Sequence, residues 1–103
     1  MKKQKQTRAS LTDLIYRKFG YDYRITATIV DSLIEEMASA LKRGETIELR
    51  NFGVFELQHR KSSIGRNISA GTAVKIPERY VVAFRPGKNL REAVKDYQPD
   101  SDK

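Results

Sequence analysis

No cysteine occurs among the 103 residues. That excludes a disulfide framework and a thiolate metal site. Histidine occurs once, as His59, and a general base needs an arranged partner that the neighbouring residues do not announce. Ser62 and Ser63 have no base close in sequence. Gly87-Lys88-Asn89 lacks the upstream glycine and the Ser/Thr of a phosphate-binding P-loop. The expectation is a chain that is not an enzyme and takes no cofactor, metal or small-molecule substrate. Asn67-Ile68-Ser69 matches a glycosylation sequon and is read as chance, because Met1 to Arg8 is polar and basic with no apolar stretch after it, unlike a secretory signal. No apolar run approaches the ~18 residues that span a bilayer, so no membrane partner is expected.

What is abundant is positive charge. Lysine and arginine total 20 against 13 acidic residues, a net charge of +7. The distribution matters more than the sum. Residues 1–9 carry +4, residues 10–56 carry −2, residues 57–95 carry +7, and residues 96–103 carry −2. A nearly balanced N-terminal half beside a strongly basic stretch points to a polyanion-binding face. With 39% hydrophobic residues, one modest domain is expected, and at this size a partner subunit would help to bury its core.

Residues 1–9 show no periodicity and read as a basic tail. Ser10-Leu11-Thr12-Asp13 resembles a capping box with Ser10 as N-cap. Leu11, Leu14, Ile15 and Phe19 follow at helical spacing, and Gly20 is the stop. Asp22 caps a second helix that runs to Arg43 and ends at Gly44. Its apolar positions, from Ile25 through Ile29, Val30, Leu33, Ile34 and Met37 to Leu41, form a stripe wider than one short helix covers. Thr46 to Leu49 is a short strand, Arg50-Asn51 a turn, and Phe52 to Leu57 the next strand, weakening afterwards. Gly53 inside that run predicts a bulge or a close backbone approach. Thr72 to Ile76 and Tyr80 to Phe84 are strands separated by Pro77, which suits an edge or an interruption. A last short helix covers Asn89 to about Asp96, and residues 97–103 form an acidic tail.

Between the strands, residues 58–76 are basic and Gly/Ser-rich, with Ile68 at the tip. A two-stranded ribbon carrying Arg60, Lys61, Arg66 and Lys75 can follow a nucleic-acid groove and neutralise the phosphates on its walls. An aliphatic side chain at the tip of a basic loop is either a turn-stabilising or incidental residue or a wedge between base pairs. A basic RNA- or protein-interaction module using the same arm stays open as the alternative.

Several segments resemble one family at matching spacing: Ala40-Leu41-Lys42-Arg43-Gly44-Glu45, Phe52-Gly53-Val54-Phe55, Gly65-Arg66-Asn67, and Ala83-Phe84-Arg85-Pro86-Gly87-Lys88. From Ser10 to Lys95 the chain is similar to the HU and integration host factor family of bacterial nucleoid proteins. The resemblance implies an α+β fold with an N-terminal helical hairpin, a three-stranded antiparallel sheet with a long β-ribbon arm, a short C-terminal helix, and an intertwined dimer. It implies a domain over residues 10–96, a double-stranded DNA partner bound in the minor groove and bent, a homodimer (or a heterodimer), and a place in the cytoplasm at the nucleoid. The DNA-binding residues it implies are Arg50, Arg60, Lys61, Arg66, Asn67, Ile68, Lys75, Arg79, Arg85, Lys88 and Arg91. Lys2, Lys3, Lys5 and Arg8 precede the family's usual start. Two features set this chain apart. The family's arm tip carries Arg-Asn-Pro with proline as the intercalating residue; here the tip is Arg66-Asn67-Ile68, which keeps an apolar wedge but regains a backbone N–H and loses the fixed φ. Arg50, just before Phe52-Gly53-Val54-Phe55, resembles the site-specific integration host factor β branch and implies some sequence preference.

Overall fold

The computed structural model describes residues 4–67 and 71–99. Helix α1 spans Arg8–Phe19 and α2 spans Tyr23–Lys42; β1 is Ile47–Leu49, β2 Gly53–Arg60, β3 Ser63–Asn67, β4 Thr72–Ile76, β5 Arg79–Pro86, and α3 Lys88–Val94. The first helix starts earlier than its sequence suggests. Thr7, not Ser10, is the N-cap. The Thr7 hydroxyl oxygen accepts from the Ser10 N–H at 3.1 Å, and the Ser10 hydroxyl oxygen accepts from the Thr7 N–H at 2.7 Å. Ser10 is thus the third helical residue of a reciprocal capping box, which satisfies two backbone donors, the N–H groups of Thr7 and Ser10.

The remaining helix ends follow their sequence signals. Gly20 closes α1 at φ +72° and donates to the Tyr16 carbonyl at 2.7 Å. Asp22 accepts from the Ile25 N–H at 3.0 Å to start α2. At the other end Gly44 (φ +84°) donates to the Leu41 carbonyl at 2.9 Å and Glu45 to the Ala40 carbonyl at 3.0 Å, the paired bonds of a Schellman motif.

The two side chains buried among the described residues are both small and polar. Thr12 and Thr26 are 3% and 7% exposed, and each hydroxyl donates at 2.9 Å to a carbonyl one turn back in its own helix. No apolar side chain among the described residues is buried. Phe19, Ile29 and Leu33 remain 59%, 62% and 60% exposed. Together with Ile15, Tyr21, Thr26 and Val30 they line an open apolar cleft of about 250 Å³. A compact monomer of this mass exposes about 5,900 Å²; this chain exposes 9214 Å². Its radius of gyration is 18.9 Å, where a compact domain of this length has about 13 Å.

The sheet order is β1-β2-β5, all antiparallel. Asn51 (φ +68°) turns the chain between β1 and β2, and the Phe52 N–H donates to the Leu49 carbonyl at 2.9 Å. Pairing of β2 with β5 runs from Gly53–Pro86 out to Arg60–Arg79. The strand does not weaken after Leu57, because β5 supplies a partner for every residue to Arg60. Beyond it the ladder stops for Lys61-Ser62 and Pro77-Glu78, then resumes as β3–β4 from Ser63–Ile76 to Asn67–Thr72. The register is the same on both sides of the gap. Pro77 has no N–H to give to a ladder, so the ribbon is interrupted without slipping. The last helix begins at Lys88, one residue before the expected Asn89, and ends at Val94.

Gly53 is the close approach that its setting predicts. A Cβ there would stand 2.6 Å from the Arg85 carbonyl oxygen and 2.6 Å from the Phe84 ring. That ring also packs on Phe55 (centroids 4.6 Å apart) and Phe52 (5.4 Å). Since one obstacle is backbone, Gly53→Ala should destabilise the fold by about 1–3 kcal/mol. Chemical denaturation measures this; wild-type stability would contradict the packing.

Candidate nucleic-acid interface

Alternation sorts the sheet into two faces. Ile47, Leu49, Phe55, Leu57, Val82 and Phe84 occupy one face by register. Glu48, Val54, Glu56, Gln58, Arg60, Arg79, Val81, Ala83 and Arg85 occupy the other. On this second face Arg60 and Arg79 stand directly opposite each other at the end of the ladder, both exposed. Like charges at a cross-strand pair destabilise a sheet. A chain that keeps them there breaks a local rule, as binding surfaces do.

Some cations of the body have acidic partners. Arg8 lies 3.4 Å from Asp31, Arg43 3.1 Å from Glu45, and Lys95 3.1 Å from Glu92. The Glu45 hydrogen bond and charge hold the Arg43 guanidinium above its ordinary range. Arg60, Lys61, Lys75 and Arg79 have no acidic partner among the described residues. Cations of the body such as Arg24, Arg50, Lys88 and Arg91 have none there either; Arg60, Lys61, Lys75 and Arg79 are set apart by following one narrow ribbon.

Arg85 is a different case. Its Nε lies 3.0 Å from Glu56 Oε2 and its Nη2 3.4 Å from Oε1, a two-pronged pair. The hydrogen bond from Arg85, helped by one from Gln58, holds the Glu56 carboxyl below its ordinary value of 4.5. Arg85 therefore meets any polyanion with much of its charge already matched. At the base of the ribbon His59 Nε2 contacts the Glu78 carboxylate, and the His59 ring leans on Tyr80 at 5.2 Å. That pairing ties His59 to its own ribbon instead of leaving it to face a phosphate.

Arg50 and Lys88 are brought together. Both line an open cleft of about 190 Å³ with Asn51, Phe52, Gly53, Gly87 and Asn89. The cleft is held by the Gly87 N–H donating to the Phe52 carbonyl at 2.8 Å, and a Cβ on Gly87 would crowd that carbonyl at 3.3 Å. Arg91 is exposed on α3, apart from these groups. In the ribbon, Arg66 and Asn67 sit at register positions opposite Ala73 and Thr72, and Lys75 is exposed opposite Ile64. Ile68, the expected wedge, lies outside the described residues. Sequence reasoning singles out Ile68 alone and passes over Ile64. Ile64 is the most exposed large apolar side chain of the described residues, at 73%; its signal was an aliphatic residue within the same Gly/Ser/basic stretch.

Residues 6–95 match the family model described as bacterial DNA-binding protein. The chain is 44% identical over 98 residues to the DNA-binding protein HU of Treponema pallidum, covering 95% of this chain and 93% of that one. It is 42% identical over 91 residues to the integration host factor β subunit of Marinobacter nauticus, covering 87% and 93%. Among solved structures, the cocrystal of Anabaena HU with DNA superposes with a TM-score of 0.80 at 28% identity, covering 89% of this chain and all of that one.

The Glu56–Arg85 pair has a pH signature. A carboxyl depressed in the folded state contributes stability above its unfolded value and loses it as pH falls through the folded one. Glu56→Gln should therefore be less stable than wild type near neutral pH, with the gap closing as the solution becomes more acidic than 4.5. The gap should be small and should shrink in salt, because the pair is open to solvent. Thermal melts across pH measure it; a gap independent of pH would contradict the pairing.

Proposed function

Because the chain belongs to the bacterial DNA-binding protein family of HU and the integration host factor subunits, we propose that it is an architectural protein of the nucleoid, without enzymatic activity, that bends duplex DNA with a pair of ribbon arms. The observation that carries this reading is the placement of charge. Arg60, Lys61, Lys75 and Arg79 follow one two-stranded ribbon and have no acidic partner among the described residues, whereas Arg8, Arg43, Arg85 and Lys95 of the body are each paired. Charges arranged along a narrow two-stranded ribbon fit the two phosphate walls of a groove.

The second arm comes from a second copy. The chain exposes roughly 3,300 Å² more than a compact monomer of its mass, part of it the apolar cleft between the helices. Two chains together offer roughly 6,600 Å², enough for the burial of about 2,000–5,000 Å² in total that is common in obligate dimers. Pairing the open faces of two identical chains gives each a core and sets two ribbons on one assembly.

Each residue then has a task. Lys61, Arg66, Asn67 and Lys75 line the arm. Arg60 and Arg79 draw phosphates to its base, where binding relieves their mutual repulsion. Arg50 and Lys88 grip the backbone from the cleft beside the sheet, with Arg91 flanking them. Arg85 contributes least, held by Glu56. Ile68 is the wedge that unstacks a base step, at a few kcal/mol per step, a cost known for minor-groove benders with this family among them.

Phosphate neutralisation makes the affinity salt-dependent. Replacing Lys61 and Lys75 with alanine should flatten the slope of log affinity against log salt by about 0.9 for each phosphate that is no longer neutralised. A salt titration by fluorescence anisotropy on random duplex measures it. An unchanged slope would contradict the arm as the anion-binding element.

A further inference from the structure

We propose that Ile64 is a second apolar contact of the arm, lying on the floor of the minor groove and selecting against G·C pairs beneath it. The proposal rests on the minor-groove reading above and assigns that site a source of base preference.

The ribbon carries two isoleucines within its strands, and the register separates their uses. Alternation places Ser63, Gly65, Val74 and Ile76 on one face and Ile64, Lys75 and position 66 on the other. On the first face the ribbon packs against itself. Ile76 is half-buried and lies over Gly65, so close that a Cβ at position 65 would meet Ile76 Cδ1 at 2.7 Å. Gly65 is what allows Ile76 to fold down. Among the described residues the second face shows no such packing. Ile64 is 73% exposed there, and its cross-strand partner is Lys75 instead of an apolar residue. Ile76 already serves the packing of the ribbon, and Ile64 serves none.

An aliphatic side chain beside a lysine on one face fits a target with charge at its edges and apolar surface in its middle. The minor groove is such a target, with phosphate walls and a floor of sugars and base edges. A·T pairs present only acceptors on that floor, whereas G·C pairs add the guanine N2 amino donor. Isoleucine can neither accept from that donor nor leave room for the water that would. A G·C pair under Ile64 therefore keeps a buried, unpaired N–H, and A·T does not.

Inosine tests this directly, since it pairs with cytosine but lacks the N2 amino group. Wild type and Ile64→Thr are titrated against duplexes of one sequence with guanine, or with inosine in its place. Threonine keeps the β-branched shape that suits a strand and adds a hydroxyl that can accept from the amino group. Wild type should prefer the inosine duplex by roughly tenfold, the scale of one unpaired buried donor. The variant should lose most of that preference while keeping its salt slope. Inosine also softens the duplex, but a preference from softness would persist in the variant, so the difference between the two proteins isolates the side chain. Equal preference in both proteins, or none in wild type, overturns the proposal while DNA binding stands. Failure of every duplex to bind in a salt-dependent way overturns the architectural reading as well.

Discussion

Thr12 on α1 and Thr26 on α2 are the only buried side chains among the described residues, and the lack of a buried apolar core decides much of the molecule. The apolar stripes of the two helices are left exposed, Phe19, Ile29 and Leu33 among them. At roughly 25 cal/mol per Å² of apolar surface removed from water, covering such faces is the largest favourable term open to the chain. One copy cannot cover them, because its sheet is only three strands and its last helix only seven residues. The second copy is thus a condition of the fold, and the pairing of arms follows from the pairing of cores.

The arm depends on a different constraint, the keeping of register across a gap. From Gly53 to Asn67 the outgoing strand keeps one pairing rule with the returning strand, though Pro77 removes a donor and the ladder lapses beside Lys61 and Glu78. Alternation therefore holds within each ladder, and each can give its two faces separate duties. In the sheet one face carries the aromatic cluster of Phe52, Phe55 and Phe84, while the other carries arginines. In the arm Ile76 and Gly65 close one face and Lys75 and Ile64 mark the other. Electrostatics supports the division. Ion pairs quiet Arg8, Arg43, Arg85 and Lys95 of the body, and the opposed Arg60 and Arg79 hold unrelieved charge at the root of the arm.

Much of this was legible in the sequence because it is local. Asp22, Gly20 and Gly44 each satisfy backbone groups within a few residues of themselves, so the helix ends could be read directly. Gly53 could be read as a close approach because an apolar strand tolerates glycine badly without a reason. The start of α1 could not be read as safely. Thr7 and Ser10 are both good caps, and only the reciprocal bonds between them decide which one caps. Features that depend on strand partners were hidden. The pairing of Arg85 with Glu56 joins residues 29 positions apart, so Arg85 looked as free as Arg60. Ile64 and Ile76 are the same residue type in similar surroundings, and only the register shows that one is packed and the other open. The unbroken run of the sheet strand to Arg60 was hidden as well, since Gln58, His59 and Arg60 continue it only because β5 lies alongside.

If the open helical face is what binds two chains together, folding and association are one reaction. The direct measurement is the thermal or denaturant midpoint as a function of protein concentration, with sedimentation of the folded state. The account predicts a dimer whose midpoint rises with concentration, with loss of helix and dissociation in a single transition. A folded monomer with a midpoint independent of concentration would contradict it.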